Sequence, residues 1–231
     1  MPRLGALLVF CVAGPAGTAQ AQGSGPILRW PEAIGFVAVA GVTFATDERI
    51  RGTFQGHDSR LRNSVAEIGN AFGNPTYVYP SLLLSTLAGS VTGSEDLYGV
   101  SWRALKSTAL AGGVTLVLKS LIGRRRPDVS PDDPLRFSPM SFKYNSLPSG
   151  HTTLAFSLAT SLAMETKSVL PDIGLFGLAT TTGFARLHVH KHWASDIVVG
   201  AGVGILAARL VRRYDRSGGA GALRFAGNFT F

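Results

Sequence analysis

The sequence contains little charge, one cysteine and almost no strand-like alternation. A single cysteine excludes a disulfide framework. Charged residues make up 16% and apolar residues 45% of the 231 residues, which excludes a disordered chain because so much apolar surface collapses in water. Alternation of apolar and polar residues begins only near the end, where Leu223, Phe225 and Phe229 indicate a short extended tail. We therefore predict an all-α protein with a substantial core.

Long uncharged runs are also scarce. A membrane-spanning helix needs ~20 mainly apolar residues. The run 73–94 reaches that length without a charge, although it contains Pro75 and Pro80. A compact soluble bundle and a small membrane bundle are both compatible with this pattern. The sequence predicts six apolar helical stretches, at 33–47, 76–92, 98–121, 151–167, 170–187 and 194–213.

The N-terminus has the features of a secretory signal peptide. Arg3 supplies a positive charge, an apolar segment follows, and Ala-Gln-Ala forms a small-residue cleavage site. An uncleaved first membrane helix is the alternative. Because Cys11 lies within this segment, the mature chain would contain no thiol. We predict export to the cell envelope and three segments: a signal peptide at 1–21, a helical domain at 22–214 with its motifs at about 100–205, and a tail at 215–231.

The formal net charge of +8 indicates a negatively charged partner, such as anionic lipid or a phosphorylated substrate. Basic loops of a membrane protein would give the same excess. We do not expect nucleic acid as a partner, because the basic residues are not interleaved with aromatic residues along one stripe.

Three clusters carry residues suited to phosphate chemistry. The first joins Lys119 to Arg126-Pro127 at the end of a predicted helix. Cations at a helix C-terminus are favourable in any protein, but arginine forks and a lysine also match the oxygens of a phosphate. Arg124 and Arg125 lie between these positions, and we expect them to meet a lipid headgroup or to be solvated.

The second cluster is Pro148-Ser149-Gly150-His151, which precedes an apolar helix. Free backbone N–H groups at a helix start bind anions. Ser149 can add a hydroxyl hydrogen bond, and His151 can supply a proton. A plain helix cap beside an incidental histidine is the simpler interpretation.

The third cluster contains Arg186, His192 and Asp196. Residues four apart share a helix face, so Asp196 can orient the His192 ring and leave one ring nitrogen free as a nucleophile. A metal site formed by His188, His192 and Asp196 is the alternative. It is disfavoured because the neighbouring arginines and lysines would repel a divalent cation.

Together the three clusters resemble the type 2 phosphatidic acid phosphatase and vanadium haloperoxidase superfamily. That family has Lys-x6-Arg-Pro, then Pro-Ser-Gly-His, then Ser-Arg-x5-His-x3-Asp, and the order and spacings match here. Ala185 departs from the pattern, because the family usually has serine there. The resemblance implies a six-helix bundle of the phosphatidic acid phosphatase and haloperoxidase type.

The resemblance also implies roles for individual residues. His192 would attack phosphorus, Asp196 would orient it, and His151 would protonate the leaving oxygen. No metal and no other cofactor is expected, because cations do the work of Mg²⁺. The phosphoryl oxygens would be held by Lys119, Arg126, Ser149, Gly150 and Arg186.

The expected activity is hydrolysis of phosphomonoesters or pyrophosphates through a phosphohistidine, with a phosphorylated lipid as the favoured substrate and the membrane as the favoured location. Three alternatives stay open. They are a soluble secreted acid phosphatase that acts on small phosphomonoesters, a vanadium-dependent haloperoxidase, and an anion-binding membrane protein without catalysis. The sequence does not indicate the oligomeric state.

Overall fold

The computed structural model describes residues 27–55, 59–141 and 143–217. The expected signal peptide and residues 218–231 of the expected tail lie outside these residues. Within them the chain forms seven α-helices and no strand, which confirms the all-α class. The helices are α1 (Trp30–Phe54), α2 (Arg60–Gly73), α3 (Pro75–Thr92), α4 (Glu95–Ile122), α5 (Gly150–Ala163), α6 (Val169–His188) and α7 (Ala194–Arg216).

The helix α2 was not expected, so the predicted count of six is wrong by one. Ser59 caps its start by accepting a hydrogen bond from the Arg62 N–H group at 3.3 Å. The buried face of α2 consists of Ala66, Gly69 and Gly73. Leu61, Val65, Ile68 and Phe72 recur at helical spacing and were the available signal, but the charges around them make the segment look like a polar connection.

Helix α5 lies at the centre of the bundle, between α4, α6 and α7. Small residues allow the close approach of α7: a Cβ atom at Gly204 would lie 2.4 Å from the Thr153 carbonyl oxygen. A Cβ atom at Gly69 would likewise lie 2.2 Å from the Thr181 carbonyl oxygen, where α2 meets α6. The core is therefore built from close backbone contacts and small side chains more than from large apolar residues.

Two of the described helices, α4 and α7, are long and apolar enough to cross a membrane. The two helices differ in burial. Of the most apolar 18-residue segment of each helix, 61% is buried inside the bundle in α7 but only 22% in α4. Leu116 and Val117 on α4 are 68% and 58% exposed. The outer face of α4 is therefore an apolar surface without a partner among the described residues.

The end of the bundle remote from the three motifs is held by ion pairs. Lys106, which interrupts the apolar pattern of α4, places its Nζ atom 2.5 Å from Oδ1 of Asp215 on α7. Arg103 Nε lies 2.7 Å from Oε1 of Glu165, which follows α5. These pairs satisfy charges that would otherwise be costly among apolar helices.

Candidate active site

His192 and Asp196 lie together where α7 begins. Asp196 is in the first turn of α7, and its Oδ2 atom accepts a hydrogen bond from the Trp193 backbone N–H group at 2.9 Å. The same oxygen lies 3.4 Å from Nδ1 of His192. This separation is longer than an ordinary hydrogen bond, although such distances often shorten when substrate binds. The predicted orientation of His192 by Asp196 therefore has a geometric basis in the helix cap.

Arg124 is fully buried, so the expectation that it meets a headgroup or solvent is wrong. Its Nη1 atom lies 2.7 Å from Oδ1 of Asp196, and its Nη2 atom lies 2.7 Å from Oδ2 of Asp47. Both guanidinium Nη2 and Nε also donate to the Pro134 carbonyl oxygen, at 2.7 and 2.9 Å. The arginine is held by charge and hydrogen bonds on every side, which is the condition for burying a guanidinium group.

A turn at Gly123 directs Arg124 into the core. Gly123 caps α4 with a φ of 61°, and a Cβ atom there would lie 1.8 Å from the Ser138 carbonyl oxygen. Only glycine fits such a left-handed position at this approach. The long loop then returns past this turn, because the Ser146 N–H group donates to the Arg124 carbonyl oxygen at 3.0 Å. The first and second motifs are thus joined through backbone hydrogen bonds.

The second motif is joined to the third in the same way. The Ser149 N–H group donates to the Asp196 carbonyl oxygen at 3.0 Å. Ser146 donates its hydroxyl hydrogen to Oδ2 of Asp196 at 2.5 Å. The carboxylate that faces His192 is therefore held by Arg124 of the first motif and by Ser146, which precedes the second motif.

Ser149 and Gly150 form the start of α5. The Ser149 side chain does not cap the helix; instead its Oγ atom accepts a hydrogen bond from Thr152 Oγ1 at 3.0 Å. A Cβ atom at Gly150 would lie 3.8 Å from Cε of Lys119, which places the end of the Lys119 side chain against this helix start. The hydroxyl hydrogen of Ser149 and the first N–H groups of α5 are thus suited to meet an anion.

Lys119, Arg126 and Arg186 lie near His151, and Lys119 and Arg126 also lie near His192. Lys119 donates to the carbonyl oxygens of Asn145 and Ser146, the second at 3.4 Å. Arg186 on α6 donates from Nη1 to Oδ1 of Asn70 on α2 at 2.9 Å. The Nε atoms of Arg126 and Arg186 are buried and have no hydrogen-bond partner among residues 27–55, 59–141 and 143–217. Both guanidinium groups therefore retain a donor for a ligand.

The local charge also sets the protonation of the histidines. Burial, together with the positive charges of Arg186, Lys119 and Arg126, lowers the pKa of His151 to about 4. Burial likewise lowers the pKa of His192 to about 4, although the neighbouring Asp196 opposes this effect. Both imidazoles are therefore neutral at neutral pH, and the free nitrogen of His192 carries a lone pair.

His188 and His190 do not join this centre. His188 Nε2 lies 2.7 Å from Oδ1 of Asn63, and its ring stacks on Phe184 with centroids 5.8 Å apart. His190 lies in the turn after α6 with a φ of 51°. In the described part of the chain, no three His, Cys, Asp or Glu residues stand close enough to form a metal site.

The sequence interpretation missed Asp47 and Ser195. Ser195 donates from its N–H group to Oδ1 of Asp47 at 2.9 Å and from its hydroxyl group to Oδ2. Both residues are fully buried. The available signal was Asp47 itself, because an acidic residue within a long apolar helix usually has a buried partner. The predicted helix ended at residue 47, whereas α1 continues to Phe54.

The part of the chain that contains the three motifs matches a known family. The family model of the PAP2 superfamily matches residues 101–217, about half of the chain. The chain is 39% identical over 104 residues to a lipid A 1-phosphatase of Porphyromonas gingivalis. This match covers 44% of the chain but only 21% of that relative, so the chain spans about a fifth of its length.

Two solved structures share the fold. The crystal structure of a transmembrane PAP2-type phosphatidylglycerolphosphate phosphatase from Bacillus subtilis gives a TM-score of 0.62 at 20% identity, and the match covers 80% of this chain and 94% of that one. The crystal structure of LpxE from Aquifex aeolicus gives a TM-score of 0.52 at 22% identity, over 72% of this chain and 94% of that one. At these identities the likeness concerns the fold.

Proposed function

This chain belongs to the PAP2 superfamily, and from that premise we propose that it is a metal-independent lipid phosphatase that works through a phosphohistidine. The observation that carries the proposal is the buried His192–Asp196 pair, with Lys119 and Arg126 close enough to lower the pKa of His192. A neutral imidazole beside fixed cations is suited to attack a phosphoryl group and to stabilise the charge on its oxygens.

In the first step, the free nitrogen of His192 attacks phosphorus. A P–N bond forms, the P–O bond to the alcohol breaks, and the leaving oxygen takes a proton. His151 is the donor of that proton in this proposal. Because burial lowers the pKa of His151 to about 4, the proton enters with a substrate monoanion or is taken up when the phosphate anion binds beside the ring.

In the second step, water attacks phosphorus and the P–N bond breaks. His151, now neutral, accepts a proton from this water, and inorganic phosphate leaves with His192 restored. Asp196 stabilises the positive imidazole ring of the phosphorylated intermediate throughout. Lys119, Arg126 and Arg186 hold the phosphoryl oxygens, together with Ser149 and the Gly150 N–H group.

A lipid is the substrate class that the surroundings favour. Arg126 lines a cavity of about 320 Å³ together with Lys143, Tyr144 and Asn145. The Arg125 guanidinium carbon lies 4.3 Å from the centre of the Tyr144 ring and adds a cation beside this opening. The apolar outer face of α4 suits a position in the membrane, and the transmembrane relative from Bacillus subtilis supports that location.

The test is phosphate release in the presence of EDTA. Phosphatidic acid in detergent micelles is compared with a soluble aryl phosphate, for the wild type and for His192→Asn. His190→Asn is the matched control, because asparagine accepts the positive φ at that turn and His190 lies outside the site. We expect release from the lipid, its loss in His192→Asn and its retention in His190→Asn.

Other outcomes select other functions. Preference for the aryl phosphate would indicate a soluble-substrate acid phosphatase. Activity that EDTA abolishes would overturn the metal-independent mechanism. No release from either substrate would overturn the phosphatase proposal, and bromide oxidation with added vanadate would then identify a haloperoxidase. A phosphohistidine is tested directly by mass spectrometry at alkaline pH after rapid quenching, with the phosphate expected on His192.

A further inference from the structure

We infer that Asp47 on α1 is a positioning residue for the reaction, which acts through Arg124 on the Asp196–His192 pair. The inference rests on the proposed function and adds a residue outside the three motifs. Asp47 also lies outside residues 101–217, the part of the chain that matches the family. Helix α1 would then contribute to the active site and would not serve only to cover the bundle.

The contacts form one continuous chain from α1 to the histidine. Asp47 Oδ2 binds Arg124 Nη2 at 2.7 Å, and Arg124 Nη1 binds Asp196 Oδ1 at 2.7 Å. The other oxygen of Asp196 faces the His192 ring at 3.4 Å. Ser195 adds a second link, because it donates to Asp47 and accepts from Arg124 Nη1 at 2.6 Å. Every side chain of the two ion pairs is 0% exposed.

The charges of this chain explain why Asp47 matters. Asp47 and Asp196 carry two negative charges, and Arg124 carries one positive charge, so the group has a net charge of −1 beside His192. When His192 becomes phosphorylated, its ring gains a positive charge, and the group becomes neutral. Without Asp47, Arg124 would cancel Asp196 alone, and the charged ring would form in a buried site without compensation.

Arg124 also needs Asp47 to hold its orientation. The guanidinium carbon lies 4.9 Å from the centre of the Phe44 ring, one turn before Asp47 on α1, and 5.5 Å from the centre of the Trp193 ring. These aromatic faces restrict the guanidinium plane. The carboxylate at its far edge fixes the rotation within that plane. Helix α1 thus orients the donor that holds Asp196.

The test compares Asp47→Asn with Glu32→Gln in the full-length protein. Glu32 is the matched control, because it is also an α1 carboxylate bound to an arginine, with Oε2 2.7 Å from Arg209 Nη1. It lies 15 residues earlier, about 22 Å along the helix axis. If the loss of any ion pair on α1 were enough to lower kcat, both variants would therefore show the effect.

We expect Asp47→Asn to lower kcat about 10-fold to 100-fold with KM nearly unchanged, and Glu32→Gln to retain wild-type kcat. A KM near the wild-type value is expected because the charge on His192 develops only during the chemical step. Equal kcat values for Asp47→Asn and wild type would overturn the inference. Absence of activity in the wild type would instead overturn the proposed function, so the two failures are distinguishable.

A second variant keeps the test decisive if Asp47→Asn folds poorly. Asp47→Asn combined with Arg124→Met removes one charge of each sign and restores the net charge of −1. We expect this double variant to fold and to have a kcat at least equal to that of Arg124→Met alone, because Asp47 acts through Arg124. If the effects of the two substitutions simply multiply, the residues do not act as a unit, and the inference is wrong.

Discussion

Arg124 binds two carboxylates that come from opposite ends of the sequence: Nη1 lies 2.7 Å from Asp196 on α7, and Nη2 lies 2.7 Å from Asp47 on α1. The arginine follows α4 after the Gly123 turn, so three helices meet at one guanidinium group. These contacts place Arg124 in the core of the protein, although it stands in a run of three arginines, which is typical of a protein surface.

The first prediction concerns the stability that this contact provides. Arg124→Ala leaves two buried carboxylates facing each other, and we expect the free energy of unfolding to fall by about 3–5 kcal/mol. Chemical denaturation in detergent measures the effect. Arg125→Ala is the matched control. Arg125 is the next residue in the sequence, but it is only partly buried, and its guanidinium group stacks on Tyr144. If the two variants were equally stable, the buried ion pairs of Arg124 would not be the cause of the loss in stability.

The second prediction concerns the phosphate-binding arginines. Because the phosphoryl group is charged before and during the reaction, Arg126→Ala and Arg186→Ala should each raise KM and lower kcat, with a loss of about 10²–10³ in kcat. Steady-state kinetics on a phosphomonoester measures both constants. Arg60→Ala, at the exposed start of α2, is the control and should match the wild type. A change in KM alone would mean that these arginines bind the substrate without stabilising the transition state.

The sequence predicted the helical class and the residues that meet at the site because both depend on local patterns. Apolar stretches fix most helices, and the spacing of His192 and Asp196 follows from the helix turn itself. The features that the sequence did not reveal depend on contacts between distant segments of the chain. Whether Arg124 faces solvent or core is decided by Asp47, 77 residues earlier in the chain, and by a turn at Gly123.

Helix α2 was missed although Leu61, Val65, Ile68 and Phe72 recur at helical spacing, because the surrounding charges suggested a polar connection. The pattern also does not show that the closest contacts of the helix are made through Gly69 and Gly73, where the absence of a side chain permits the approach. The partner of this face is α6, more than 100 residues away along the chain, where Thr182 donates to the Gly69 carbonyl oxygen at 2.7 Å. Packing of this kind follows from the tertiary structure alone.

The third prediction is the pH dependence of kcat/KM. Burial lowers the pKa of His192 to about 4, so the nucleophile is unprotonated above that pH, and activity should be lost only as the pH falls through about 4. Burial and nearby cations also lower the pKa of His151 to about 4, so the proton for the leaving oxygen enters with the substrate. The second pKa of a phosphomonoester is about 6, and kcat/KM should therefore decline above that pH.

Rates measured from pH 3 to pH 8 at constant ionic strength define both sides of the pH profile: the acid limb at about pH 4 and the alkaline limb at about pH 6. A substrate with a more acidic phosphate is the control, because it should move the alkaline limb by the difference between the two phosphate pKa values and leave the acid limb in place. An acid limb near 6.5, the ordinary pKa of histidine, would show that His192 is not held neutral by burial. An alkaline limb that does not move with the substrate would assign the proton to the protein instead.

The fourth prediction concerns the close contact that holds the second motif against the third. A Cβ atom at Gly200 on α7 would lie 2.8 Å from the Ser149 carbonyl oxygen and 3.2 Å from Oγ1 of Thr153. Gly200→Ala must therefore move α7 away from the start of α5, which carries His151. We expect the free energy of unfolding to fall by about 1–3 kcal/mol and kcat to fall with it, since the distance between His151 and His192 changes.

Gly113→Ala on α4 is the matched control, because a Cβ atom there meets no atom within 4 Å. That substitution should leave kcat unchanged and raise stability by about 0.5–1 kcal/mol, as expected for alanine in place of glycine inside a helix. Thermal unfolding and steady-state kinetics on both variants separate the two effects. Wild-type kcat in Gly200→Ala would show that the contact between α5 and α7 can widen without disturbing the two histidines, and the packing would then matter for stability alone.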